Sequence, residues 1–122
     1  MIMKMRKFLI AIPMALGLIS GGAAIARPYV YVASFGYGVE VTKCLDSAES
    51  VLRKFKFTKN TWRDYDPKEN AKIGRVYGTL EQTPVRAVIY CNQKEGITSL
   101  AVSGLDNDET WDIYLKLYDA EW

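Results

Sequence analysis

Histidine is absent from the 122-residue sequence. Because imidazole is the commonest general base and a frequent metal ligand, its absence argues against conventional hydrolases and triad-based catalysis. The sequence also lacks a Cys-x-x-Cys pair and a glycine-rich phosphate-binding loop before a helix. We therefore predict no catalytic residue, no metal site and no cofactor, and we favour a non-enzymatic protein.

Apolar runs long enough to cross a membrane are also absent. Pro13 interrupts the first apolar stretch, which is shorter than the ~20 residues of a spanning helix. A basic start, this apolar stretch and a small-residue exit at Ala24-Ile25-Ala26 are typical of a secretory signal peptide. We predict that residues 1–26 are removed before Arg27, leaving a periplasmic or secreted single domain of residues 27–122. An uncleaved membrane anchor is the alternative, and the short stretch argues against it.

An excess of one charge is missing as well. The full sequence has 16 basic and 14 acidic residues, and removal of Lys4, Arg6 and Lys7 with the signal peptide leaves 13 basic residues and a formal charge of −1. Nucleic-acid binding depends on clustered Lys and Arg side chains. We therefore predict no nucleic-acid partner, and no membrane association after the signal peptide is removed.

Cysteine is scarce, with only Cys44 and Cys91. In an oxidising compartment, an even number of cysteines predicts one intrachain disulfide. Closing the loop between them would stabilise the fold by up to about 4 kcal/mol in the loop-entropy model. Alternation along the strand before Cys91 places that residue on the same face as Ile89, under the predicted helices. Free buried thiols and a redox-active pair remain the alternatives.

Periodicity along the chain predicts an α+β domain. It consists of an antiparallel sheet of about four strands with two helices packed on one face, in the order β-α-β-β-β-α. The first strand begins at residue 29 and is followed by a turn and a short strand at residues 39–41. The other predicted strands are a short one at 61–65 and a meander at 73–80, 85–91 and 97–103.

Two segments have helical spacing. The apolar residues Leu45 and Leu52 belong to a stripe that predicts a helix over residues 43–55, with Thr42 as its N-cap. Asp106, with Glu109 three residues later, predicts the N-terminus of the last helix. That helix carries an aromatic stripe of Trp111, Tyr114, Tyr118 and Trp122.

One combination of motifs resembles a known group. The pattern Cys44-x-x-x-Ala48-x-x-Val51-Leu52-x-x-Phe55 is followed by Val76-Tyr77-Gly78, by Val85 six residues before Cys91, and by Val102-Ser103-Gly104. It resembles small exported bacterial α+β domains of unknown function, over most of the mature chain. The resemblance implies the β-α-β-β-β-α layout and a Cys44–Cys91 pair, and it implies no activity.

Aromatic residues are abundant, with eight Tyr, four Phe and three Trp. Tyr and Trp are favoured at binding surfaces because they offer a large contact area at low entropic cost. Trp62, Tyr65 and Trp122 are the aromatics least easily explained as core. The leading hypothesis is therefore a non-enzymatic binding or protein-interaction module, engaging a protein, peptide or glycan through these residues and an exposed sheet face.

A carboxylate-based glycan-acting enzyme is the alternative, because sugar hydrolysis needs two carboxyl groups and no histidine. Its acid and base would be two of Asp64, Asp66 and Glu69. Their crowding on one short polar loop argues against this function, since they are poorly placed to flank a substrate. A thiol-active protein is a third possibility, opposed by the wide separation of the cysteines.

Overall fold

The computed structural model describes residues 27–122, and the predicted signal peptide lies outside the described residues. Five strands and two α-helices make up this part of the chain, which confirms the α+β class. The elements are β1 (Tyr29–Gly36), α1 (Val41–Lys54), β2 (Lys59–Tyr65), β3 (Ile73–Thr79), β4 (Arg86–Asn92), β5 (Ile97–Gly104) and α2 (Asn107–Tyr118), with a 3-10 turn at Pro67–Glu69.

The strands form one antiparallel sheet in the order β1-β5-β4-β3-β2. The sheet has five strands rather than about four, because β2 is a full seven-residue edge strand. Its polar composition suits an edge position, where one side of the strand faces solvent. A register shift between Lys59 and Trp62, with Asn60 in the left-handed region at φ 52°, disguises the alternation of β2.

Both helices pack on one face of the sheet, as predicted. α1 covers β3 and β4, while α2 covers β5 and β1. Alternate strand residues enter the core, so that Ala87, Ile89 and Cys91 of β4 are buried. Leu45 and Leu52 of α1 are also fully buried, which confirms the face predicted for this helix.

The two helices begin by different means. Residues 39–41 do not form a strand, and Thr42 is not the N-cap of α1, which begins at Val41 after Glu40. Instead, the amide of Val41 donates a 3.0 Å hydrogen bond to the side chain of Gln93, in the β4–β5 turn. For α2 the prediction is confirmed, because the Asp106 carboxylate accepts a 2.8 Å bond from the amide of Glu109.

A disulfide joins Cys44 to Cys91, which confirms the predicted pairing. The bond connects the first turn of α1 to the end of β4 across 47 positions of sequence, with the two Cα atoms 6.1 Å apart. Both residues are 1% exposed, so the bond is shielded from solvent. The described part of the chain therefore holds no free thiol.

Candidate binding surface

The face of the sheet opposite the helices carries a transverse row of apolar side chains. The strand registers align Trp62, Tyr77, Val88, Ala101 and Val32, one from each strand in the order β2-β3-β4-β5-β1. Paired residues in antiparallel strands project from the same face, so these five side chains form a continuous line. We call this line the apolar row.

Both ends of the apolar row are exposed. Val32 is 67% exposed and Trp62 is 53% exposed, although both are large apolar residues. The Trp62 ring stacks on Tyr77 with a centroid distance of 4.6 Å and an interplanar angle of 11°. This stacking holds the indole in place, so that little side-chain entropy remains to be lost when another molecule covers it.

A polar row lies beside the apolar row on the same face. Arg75 forms an ion pair with Asp64 at 2.9 Å, and this hydrogen bond raises the pKa of the Arg75 guanidinium above its ordinary value. At the other end of the polar row, Ser34 and Ser99 share a 2.7 Å hydrogen bond. Tyr90 lies between these two pairs in the polar row, so the apolar row has a border that is hydrogen-bonded within the protein at both ends and aromatic in the middle.

A shallow hollow of about 260 Å³ opens on the other side of the apolar row. Tyr77, Val88 and Ala101 contribute to its walls together with Arg86 and Ser103. Arg86 is exposed, and none of the carboxylates whose side chains the structure describes forms an ion pair with it. The hollow therefore combines apolar walls with a cation that is available to an anionic group.

The charge of this face differs from that of the domain as a whole. Its strand residues include three cations, Lys59, Arg75 and Arg86, and one carboxylate, Asp64. Residues 27–122 together carry 13 basic and 14 acidic residues. A basic face on a nearly neutral domain favours a partner with negative charge.

The structure places the three predicted binding residues on different surfaces. Trp62 lies at one end of the apolar row, whereas Tyr65, three positions later on β2, pairs with Gly74 and projects toward the helix side. Trp122 follows α2 and packs against Phe35, with ring centroids 5.4 Å apart. These three side chains therefore do not form a single patch.

Two of the acidic residues considered for glycan chemistry have structural partners. Asp64 pairs with Arg75, and Asp66 accepts a 2.9 Å bond from the amide of Lys68 at the start of the 3-10 turn. The side chain of Glu69 lies outside the described part of the structure. Within that part, no group of three or more acidic or cysteine side chains is placed to hold a metal ion.

A separate cleft of about 500 Å³ lies on the helix side. Its size is within the range of ligand-binding pockets. The sequence gives little indication of it, because its walls come from the end of α1, the β3–β4 connection and α2. The lining residues are Phe55, Phe57, Leu80 and Ile113, with Glu109, Asp112 and Lys116 at the polar side.

Comparison of the chain with protein-family models, with curated proteins and with solved structures gives no match. The similarity to small exported bacterial domains therefore remains a prediction from the residues. Among residues 27–122, neither helix has the length and apolar content required to span a membrane.

Proposed function

We propose that this protein is an exported, non-enzymatic interaction module that binds a partner protein through the face bearing the apolar row. The exposed apolar row, from Trp62 to Val32, is the observation that carries this proposal. The Cys44–Cys91 disulfide supports the export part, because disulfides form and persist mainly in oxidising compartments. The signal-peptide pattern of residues 1–26 supports it independently.

The dimensions of the face favour a protein as the partner. Five strands about 4.8 Å apart and about seven residues of about 3.4 Å each give an area of about 570 Å². A standard protein interface buries about 800 Å² on each partner, so the face fits the smaller specific interfaces. Its centre is aliphatic, at Val88 and Ala101, so that apolar side chains of a protein partner can pack against it.

Charge complementarity defines the chemistry of the partner surface. We expect the partner to present an apolar segment flanked by Asp or Glu. The hollow has apolar walls and the Arg86 guanidinium at its side, so it can contact both kinds of side chain. Arg binds carboxylates with paired hydrogen bonds, which fixes the orientation of the bound segment. Apolar contact along the row would supply affinity, and Arg86 would select for acidic sequences.

The test compares two substitutions of similarly exposed residues. Trp62 is 53% exposed and Leu105 is 55% exposed, and Leu105 lies after β5, away from the apolar row. The tagged wild type, Trp62→Ala and Leu105→Ala are each produced in the native cell, cross-linked and purified, and bound proteins are quantified by mass spectrometry. Circular dichroism and thermal unfolding establish that both variants are folded.

We expect Trp62→Ala to reduce recovery of the specific partner at least ten-fold, because loss of an aromatic hot spot commonly costs about 2 kcal/mol or more, on the order of a 30-fold change in affinity. Leu105→Ala should retain wild-type recovery. Arg86→Glu should also reduce recovery, by repelling an acidic segment. Equal recovery of every bound protein by wild type and folded Trp62→Ala would refute the proposed surface.

A further inference from the structure

The two edges of the sheet differ in how they are protected against pairing. β2 carries Lys59, Arg63 and Asp64 and an irregular register, all of which oppose the addition of another strand. β1 pairs with β5 without a register shift over eight residues, and residues 29–39 contain no charged side chain. In the described part of the structure, nothing pairs with the outer side of β1.

The open face of the sheet is apolar along this unprotected edge. Val30 and Val32 are 57% and 67% exposed, and they are the two most exposed large apolar residues of the described chain. Isolated valines at these exposures are ordinary on a protein surface. Val30 and Val32 instead lie on the same face of an uncharged edge strand. A second strand that paired with the free backbone of β1 could therefore also make apolar side-chain contacts with both valines.

The helix side of the same edge is aromatic. Trp111 and Tyr114 of α2 pack on Tyr31 of β1, with ring centroids 5.0 and 5.7 Å apart. Tyr118 makes an edge contact with Phe35 at 6.2 Å. Trp111 and Tyr118 nevertheless remain 43% and 44% exposed, so the aromatic stripe forms an uncovered wall above β1.

We infer that β1 is a self-association edge, at which a second copy of this chain pairs antiparallel with β1 across a two-fold axis. Antiparallel strands related by a two-fold axis present the same surface to each other, so one uncharged strand is sufficient for both partners. The two sheets would join into one of ten strands. The α2 helices would then lie side by side, with their aromatic stripes in contact.

The area of the edge agrees with a reversible dimer. Eight residues of about 3.4 Å give a length of about 27 Å, and the sheet with α2 above it is about 20 Å high, or about 540 Å² per copy. This is below the ~800 Å² of a standard interface, where weaker complexes are found. The inference does not rest on the proposed partner, because it concerns pairing of the free β1 edge in the pure protein. Val32 belongs to both surfaces, whereas Trp62 lies on the opposite edge strand and belongs to the partner surface alone.

Sedimentation velocity of the oxidised chain of residues 27–122 tests the inference, at about 10 µM to about 1 mM. The wild type should convert from monomer to dimer with increasing concentration. Val32→Lys places a charge on each copy at the centre of the pairing edge and should weaken association by more than about ten-fold, since facing like charges cost several kcal/mol. Thr61→Lys, with the same charge on the exposed opposite edge, should associate like the wild type.

Val30→Lys provides a second variant if Val32→Lys proves unfolded by circular dichroism. It places the same charge on the same face of β1, two residues before position 32. A wild type that remains monomeric over the whole range would overturn the inference. Dimerisation that persists equally in a folded edge variant would overturn it as well. Trp62→Ala should leave the dimer intact, which separates this result from failure of the proposed partner surface.

Discussion

Gly78 lies where β3 passes close to the chain that leaves α1. A Cβ atom at this position would be 2.9 Å from the carbonyl oxygen of Phe57 and 3.1 Å from its Cβ. Phe57 is fully buried, so neither its backbone nor its side chain can readily move away. The absence of a side chain at Gly78 is therefore a packing requirement of the core.

We expect Gly78→Ala to lower the free energy of unfolding by about 1–3 kcal/mol, the usual cost of overpacking. Gly38→Ala is the matched control, because no atom lies within 4 Å of its added Cβ and its φ is not left-handed. The control should change stability by less than about 0.5 kcal/mol. Urea unfolding measures both, and equal stability of the two variants would contradict the packing argument.

Single residues of the candidate surface were only partly predictable. Trp62 was identified because it is a large aromatic in a polar segment, and the structure places it on the apolar row. Val32, Val88 and Ala101 have no unusual property as separate residues. They form a surface only through the registers of β1, β5 and β4, which depend on long-range pairing that a local pattern does not specify.

At the scale of elements, the core-facing patterns were the most predictable. α1 and the three central strands follow their expected periods because burial imposes those periods directly on the sequence. The start of α1 could not be predicted in this way. Its first amide is satisfied by Gln93, which is 52 positions away in sequence.

The edge strand β2 illustrates a second limit at this scale. Arg63 projects toward α1, where its guanidinium binds Asp46 at 2.6 Å and Glu49 at 2.9 Å. The hydrogen bond to Asp46, together with those to Glu49 and Tyr65, raises the pKa of the Arg63 guanidinium despite partial desolvation. A strand attached to its helix by ion pairs has no apolar alternation, so sequence periodicity underestimated its length.

For the molecule as a whole, the disulfide makes the stability of the fold depend on the redox state of the compartment in which the protein is located. Its loop-entropy contribution of up to about 4 kcal/mol is a large part of the 5–15 kcal/mol typical of a domain. A domain the size of the described residues, 27–122, buries a limited core, which makes such a cross-link valuable. We therefore expect the domain to function where the Cys44–Cys91 bond remains oxidised.

Intact mass spectrometry of protein recovered from outside the cytoplasm tests this expectation. The mass should correspond to a chain beginning at Arg27, with no thiol label before reduction and two labels after it. A denaturing step makes both buried sulfurs accessible, so that lack of label reports the bond rather than burial. Labelling without reduction would contradict the disulfide, and an uncleaved mass would contradict removal of residues 1–26.

The central claim, that the helix-free sheet face is the binding surface, is tested most directly by a photoreactive amino acid at position 62. The same amino acid at position 105 is the control, because the two native side chains are 53% and 55% exposed. After irradiation of the producing cells, we predict a discrete protein adduct from position 62 that is absent from position 105 and is reduced by Arg86→Glu. The claim would be contradicted if position 62 gave no more adduct than position 105.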